Sequence, residues 1–303
     1  MSVVVKSDEL RELVDPDGEV ERLATGFTFT EGPIWNAEGD FLLFSDMPGD
    51  VRRRWSKAAG VSEVMNPSNK GNGMVYDAAG RLLVCEHSTS SLVREYPDGT
   101  RETLATHFRG KELNSPNDVV TRSDGTIYFS DPWYGRMPVF GVERERELGF
   151  QGVYRLPPGG GDVELVVGED EFEMPNGLCF SPDESLLYIN DTPNARIRVY
   201  DVAADGSLAN GRLFLDEIGD GEVDHGAPDG MKCDEHGNIW VSGPGGVCVI
   251  NAAGEHIGVI EVPEVVGNLA WGGAGWRTLF IPSSTSLYRI ETKVASAPLP
   301  YHR

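Results

Sequence analysis

The chain has 303 residues and a formal net charge of −22, from 26 Lys and Arg against 48 Asp and Glu, so it repels phosphate backbones and anionic headgroups and is not expected to partner nucleic acid or membrane. No stretch approaches the roughly 18 apolar residues of a membrane span, and residues Met1 to Glu9 carry neither a basic opening nor a long apolar run, so no secretory leader is expected. The 37 Gly and 19 Pro are spread along the whole length, as in a chain of many short strands joined by tight turns.

Taken in chain order, one pattern returns six times: a turn rich in Asp, Gly or Asn, then an apolar strand that ends in a small or acidic residue. The copies are NAEGDFLLFSD (36–46), DAAGRLLVCEH (77–87), RSDGTIYFSDP (122–132), SPDESLLYIND (181–191), DEHGNIWVSGP (234–244) and, more weakly, GGAGWRTLFIPSS (272–284). They lie about 40 to 60 residues apart, the length of one four-stranded propeller blade. Further strand candidates stand between them: SLVREY (91–96), QGVYRL (151–156), ARIRVYDV (195–202) and VCVINA (247–252), each beside a turn of hairpin chemistry. The reading is all-β, a single six-bladed β-propeller over 1–303 with residues 1–24 as an N-terminal extension. A β-sandwich does not require six similar units. Residues 133–150 (WYGRMPVFGVERERELGF) break the repeat; VERERELG is expected to form one short helix, and the insert is either a lid over the channel or a surface loop.

Four cysteines, Cys85, Cys179, Cys233 and Cys248, lack CxxC spacing, and three stand in apolar strand-like runs. Buried free thiols in a reducing cytoplasm are expected.

Polar residues also occur where inner strands should begin: Glu31 in TEGPIW, Asn117 in NSPNDVV, Asn176 in MPNGLCF and Asp229 in APDGMKC. Pro116, Pro175 and Pro228 fix the backbone before three of them, and Gly177 and Gly230 follow two. Taken singly, each is an ordinary turn. Three at one phase ahead of a repeat mark a site in the central channel, where two carboxylates and two amide carbonyls form a hard oxygen cage. Such a cage suits Ca²⁺ better than Zn²⁺, and no HxxxH, HxH or CxxC spacing offers a zinc site. His87 either reaches the channel or is a hydrogen-bonded structural histidine. Asn72, in GNGM, is a neighbour of the site or a plain turn. His225, four residues before Asp229 on a Gly-rich loop, either belongs to the site or faces solvent, and Arg109 and Lys111 either contact substrate hydroxyls or sit on a solvated loop. No GxSxG elbow and no GxGxxG fingerprint follows a strand, which removes the serine-hydrolase and dinucleotide readings.

EGPIW, GNGMVYD, NSPNDVV, YFSDPWYG, ELGFQGVYRL, PNGLCFSPDE, PDGMKCDEHGNIWV and STSLYRI together resemble the gluconolactonase branch of the SMP-30/regucalcin-like family, over about residues 25–292. The resemblance implies a divalent cation on Glu31, Asn176 and Asp229, with Asn117 as a further ligand or a substrate contact. Ca²⁺ is the expected ion, with Zn²⁺, Mn²⁺ and Mg²⁺ as alternatives. It implies hydrolysis of a small sugar-type lactone, with Asp229 as general base or nucleophile. A phosphotriesterase of the diisopropylfluorophosphatase type and a non-catalytic calcium-binding propeller are the rival readings. The family motif often reads DPPYG; here it is DPWYG, which makes Trp133 and Tyr134 candidates for the pocket wall. The oligomeric state is left open.

Overall fold

The structure is a computed structural model that describes residues 1–168 and 170–301. Among the described residues six antiparallel sheets of four or five strands follow one another along the chain, with a two-stranded hairpin of His107–Phe108 and Lys111–Glu112 besides. The inner strands of blades I to VI are Thr30–Asn36, Gly71–Tyr76, Val119–Thr121, Pro175–Phe180, Met231–Cys233 and Ala270–Gly272, and consecutive inner strands touch around a central channel. The fold is the six-bladed β-propeller.

The six repeats are the second strands of the blades: Phe41–Asp46, Leu82–Glu86, Ile127–Asp131, Leu186–Asp191, Ile239–Gly243 and Thr278–Ser283. Each is covered on both faces by the neighbouring blades and is buried almost throughout, so its sequence is a continuous apolar run without alternation. Between blades VI and I, Trp35 stacks on Phe280 with ring centroids 5.3 Å apart; between V and VI, Trp240 meets Trp271 edge-on at 5.2 Å. All four cysteines are buried and free. No helix among the described residues is long and apolar enough to cross a membrane.

Residues 1–24 are built into the ring. Glu21–Thr25 pairs antiparallel with Ser286–Glu291 as the outer strand of blade VI, so that blade joins both ends of the chain. Val3–Val5 adds a fifth strand to blade V against His256–Glu261. The polar run Glu21–Thr25 is exposed on much of its length and carries no apolar alternation by which to recognise it.

The helix expected in VERERELG is not formed. Its charged side chains point to different neighbours: Arg144 lies 3.4 Å from Glu112 and also meets Ser90, Arg146 stands over the Trp133 ring, and Glu147 accepts the Glu112 backbone N–H at 2.7 Å. These tertiary contacts override local helix propensity. The helical turn falls earlier, as a 3₁₀ turn at Tyr134–Arg136, where buried Arg136 donates to the Asn114 and Leu113 carbonyls and pairs with Glu112 at 2.8 Å.

The inner strands crowd one another. A Cβ on Gly177 would stand 2.1 Å from the Asp229 carbonyl oxygen of the next blade, and one on Gly32 (φ +52°) 1.8 Å from that of Asn72. Gly177→Ala is therefore expected to cost about 1–3 kcal/mol or more by overpacking, read as a lowered denaturant midpoint at unchanged slope. Wild-type stability would show that the blades can part.

Candidate metal and active site

The channel opens at one end into a cavity of about 50 Å³. Glu31, Asn72, Asn117, Asn176 and Asp229 reach it from five successive blades, and Thr192, His87, Phe29, Met47, Tyr134 and Phe140 complete its lining. Three of the five polar side chains sit at breaks in the inner-strand ladder, between Glu31 and Ile34, Gly71 and Met74, and Pro175 and Leu178. Such bulges re-aim a side chain away from the sheet. The corresponding position in blade VI is Gly267, whose N–H bonds to Pro282 as that of Asn117 bonds to Ser130.

In blades I, III and IV the acidic end of the repeat anchors the chain ahead of the site residue. Asp46 accepts the N–H groups of Thr28 and Phe29, Asp131 those of Asn114 and Ser115, and Asp191 those of Glu173 and Met174. Each carboxylate thus anchors the segment two or three residues ahead of the site residue in its own blade. Between blades, Ser45 Oγ donates to the Asn72 carbonyl at 3.0 Å and Asn190 Nδ2 to that of Asp229 at 2.5 Å.

The amides form a chain with one direction. Asn72 Nδ2 donates to Asn117 Oδ1 (2.8 Å), Asn117 Nδ2 to Asn176 Oδ1 (2.5 Å), Asn176 Nδ2 to Thr192 Oγ1 (3.0 Å), and Thr192 Oγ1 to the Pro228 carbonyl (2.7 Å). One end is left over: Asn72 Oδ1 is buried and has no hydrogen-bond partner. His87 is fully buried, and its Nδ1 faces the Phe140 carbonyl at 2.9 Å. A carbonyl only accepts, so Nδ1 carries the proton; Nε2 lies 3.1 Å from Asn117 Oδ1 and 3.3 Å from Asn72 Nδ2, and in the neutral ring its lone pair takes the Asn72 amide. Burial pushes the His87 pKa down and favours this neutral form.

Glu31 and Asp229 set the electrostatics. Burial first of all, opposed by the Gly32 N–H and Asn268, pushes Glu31 up to about 7; burial and the Glu31 charge lift Asp229 well above the usual carboxylate range. No Lys or Arg stands among the described residues that line the cavity. Among the described residues there is also no group of three or more His, Cys, Asp and Glu suited to a metal. The donors here are two carboxylates and amide oxygens.

Six of the seven site residues expected from sequence line the cavity: Glu31, His87, Asn117, Tyr134, Asn176 and Asp229. The seventh, Trp133, does not. Its indole N–H points to Met174 Sδ at 3.2 Å and its ring lies under the Arg146 guanidinium. It precedes the 3₁₀ turn, where successive side chains are rotated by a third of a turn, so Tyr134 enters the channel while Trp133 turns away. His225 is exposed and 2.8 Å from Asp220, and Arg109 and Lys111 are exposed. Sequence reasoning missed Thr192, Phe140 and a lower polar layer of Asp118, Lys232 and Asn268. Asn268 follows Gly267 just ahead of an apolar strand, a weaker form of the same signal without the proline.

Comparison with known proteins shows the family and the fold. Residues 29–285 match the family model described as the SMP-30/Gluconolactonase/LRE-like region. Gluconolactonase of Zymomonas mobilis is 33% identical, over 95% of this chain and 85% of its own. The solved structure of a gluconolactonase from Xanthomonas campestris superposes with a TM-score of 0.86 at 32% identity, covering 96% of this chain and 95% of that one. Regucalcin of Agrobacterium tumefaciens, a calcium-binding protein, shares the fold with a TM-score of 0.75 at 20% identity, over 94% of this chain and 98% of its own. The chain belongs to the SMP-30/gluconolactonase/LRE-like family.

Proposed function

We propose that this protein opens small sugar-type lactones to their hydroxy acids at the channel cavity, with one divalent cation held by Glu31, Asn176 and Asp229 and with Asn117 as a further ligand or a substrate contact. The observation that carries the proposal is the pair of carboxylates, Glu31 and Asp229, facing one cavity without a Lys or Arg in its lining, in a chain 33% identical to a gluconolactonase. Two such carboxylates are costly to ionise side by side unless a cation joins them. The side-chain amide oxygens of Asn117 and Asn176 complete a hard donor set, which favours Ca²⁺, with Mn²⁺ and Mg²⁺ next and Zn²⁺ least suited. When bound, the cation supplies Lewis-acid polarisation of an ester carbonyl.

The chain's own residues do the rest. Asp229 is anchored by its N–H on Ser242 Oγ at 2.8 Å and lines the cavity, so its carboxylate, kept ionised by the neighbouring cation, can take a proton from the attacking water. The water oxygen bonds to the carbonyl carbon, the ring C–O bond breaks, and the proton passes to the ring oxygen, which becomes the product hydroxyl. Attack by Asp229 itself is the alternative course at the same residue. Asn72 Oδ1 is free to accept from a sugar hydroxyl, while Phe29, Met47, Tyr134 and Phe140 wall the ring carbons. The four buried free thiols fit a cytoplasmic setting.

Chelation is expected to abolish lactone hydrolysis and added Ca²⁺ to restore it, measured as acid release; full activity after complete demetallation overturns the proposal. In Ca²⁺-saturated Asp229→Asn, kcat is expected to stay about 10²–10⁴-fold low, the loss for a missing acid–base group. Recovery of near-wild-type kcat would assign Asp229 to metal binding alone.

The pH dependence follows from the raised carboxylates. A cation needs both ionised, so below pH 7 it competes with a proton on Glu31; apparent Ca²⁺ affinity is expected to fall and proton release to rise as pH drops from about 8 to about 6. In the metal-free protein the folded state keeps protons that the unfolded chain releases, so stability is expected to decline as pH rises from the ordinary carboxylate range through about 7. Calorimetric titration in buffers of different ionisation heat measures the first and denaturant melts the second. Release independent of pH would place the cation elsewhere.

A further inference from the structure

We infer that Lys232 and Asn268 form a positioning relay beneath the cavity that sets which oxygen of Glu31 is left for the cation. The inference rests on the cation reading of the same site.

The layer below the site is nearly empty of side chains. In four blades the residue after the site position is glycine: Gly32, Gly73, Gly177 and Gly230. A Cβ there would stand 1.8, 2.5, 2.1 and 2.0 Å from atoms of the next blade, the last of them the Asn268 amide carbon. Among the described residues Asp118 of blade III and Asn268 of blade VI stand at this position with side chains, and Lys232 reaches toward both from blade V.

Lys232 Nζ donates to Asn268 Oδ1 at 3.2 Å and to the Met231 carbonyl at 3.0 Å, and lies 4.0 Å from Asp118 Oδ2. Asn268 Oδ1 also accepts the Leu269 N–H at 2.8 Å, so both of its lone pairs are used. This fixes the amide: turned over, it would set NH₂ against the Lys232 ammonium and a carbonyl against Glu31. In the orientation present, Asn268 Nδ2 donates to Glu31 Oε2 at 3.0 Å, and the Gly32 N–H reaches the same oxygen at 2.6 Å. Oε2 is thereby occupied by two donors, while Oε1 takes none among the described residues. Lys232 acts through Asn268 on Glu31 and touches no reacting atom.

The relay and bare electrostatics predict opposite signs. A lysine below a cation site repels the cation, so with both carboxylates ionised charge alone would make Lys232→Met tighten Ca²⁺ binding. If the relay governs, losing the outer partner loosens Glu31 and weakens Ca²⁺ binding by about 10–100-fold. The experiment is calorimetric titration of the full-length chain with Ca²⁺ alone, beside a thermal melt without metal. Lys232→Met and Asn268→Leu are each expected to raise Kd by that factor. The double variant should be no weaker than Asn268→Leu, since the two act as one unit, and Lys232→Arg should restore part of the affinity. A folded Lys232→Met that binds Ca²⁺ as tightly as wild type, or more tightly, overturns the relay and leaves the cation site standing. Should Lys232→Met fail to fold, unchanged affinity in Asn268→Leu overturns it equally. Wild-type protein that binds no divalent cation overturns the cation reading, and the relay with it.

Discussion

The whole arrangement depends on how closely the inner strands approach one another. Where the chain passes from site residue to the next position, four blades leave no space for even a methyl group, because the neighbouring backbone stands where a Cβ would be. That crowding has two consequences. The site residue just before each glycine is turned into the channel, since the sheet side is already filled. The glycines also leave a narrow layer beneath, into which, among the described residues, Asp118, Asn268 and Lys232 extend. A propeller with ordinary side chains at these places would have to open its blades, and the site residues would lose their common focus.

The acidic residues of the channel end do two kinds of work, separated by the donors around them. Asp46, Asp131 and Asp191 each accept backbone N–H groups and pin a loop. Burial pushes Asp131 up to about 7 even so, against its backbone donors. Glu31 and Asp229 stand at the cavity itself. Glu31 has one oxygen occupied, and Asp229 is held through its backbone by Ser242 and Asn190 while its carboxylate meets the Asn176 side chain at the cavity. The amide chain from Asn72 to Thr192 crosses between these carboxylates without adding charge. The result is a pair of negative groups in a setting that a cation completes.

How much of this the sequence displayed can be traced residue by residue. The second strands were legible because they are buried on both faces and so read as apolar runs behind a turn. Glu31, Asn117, Asn176 and Asp229 were legible because a polar residue at the start of a buried strand, three times after proline, has no packing reason to be there. The N-terminal strand Glu21–Thr25 was not, since an exposed outer strand is chosen by the partner edge it closes. The helix assigned to VERERELG failed because its charges are spoken for by Glu112, Ser90 and Trp133, which are distant or unrelated in local sequence. Trp133 was placed in the wall because an aromatic beside a site motif suggests stacking, whereas a 3₁₀ turn admits only one of two adjacent rings. Lys232 and Asn268 were hidden because their role lies in a contact between blades V and VI that no local pattern records.

The central claim is that one divalent cation occupies the channel between Glu31, Asn176 and Asp229. Anomalous diffraction from crystals grown with Mn²⁺, a hard cation of similar ligand preference, tests it most directly. The account predicts a single strong peak in the cavity, within about 2.0–2.6 Å of one oxygen from each of the three side chains. A cavity without a peak, or Mn²⁺ bound only among the surface carboxylates of this acidic chain, would contradict it.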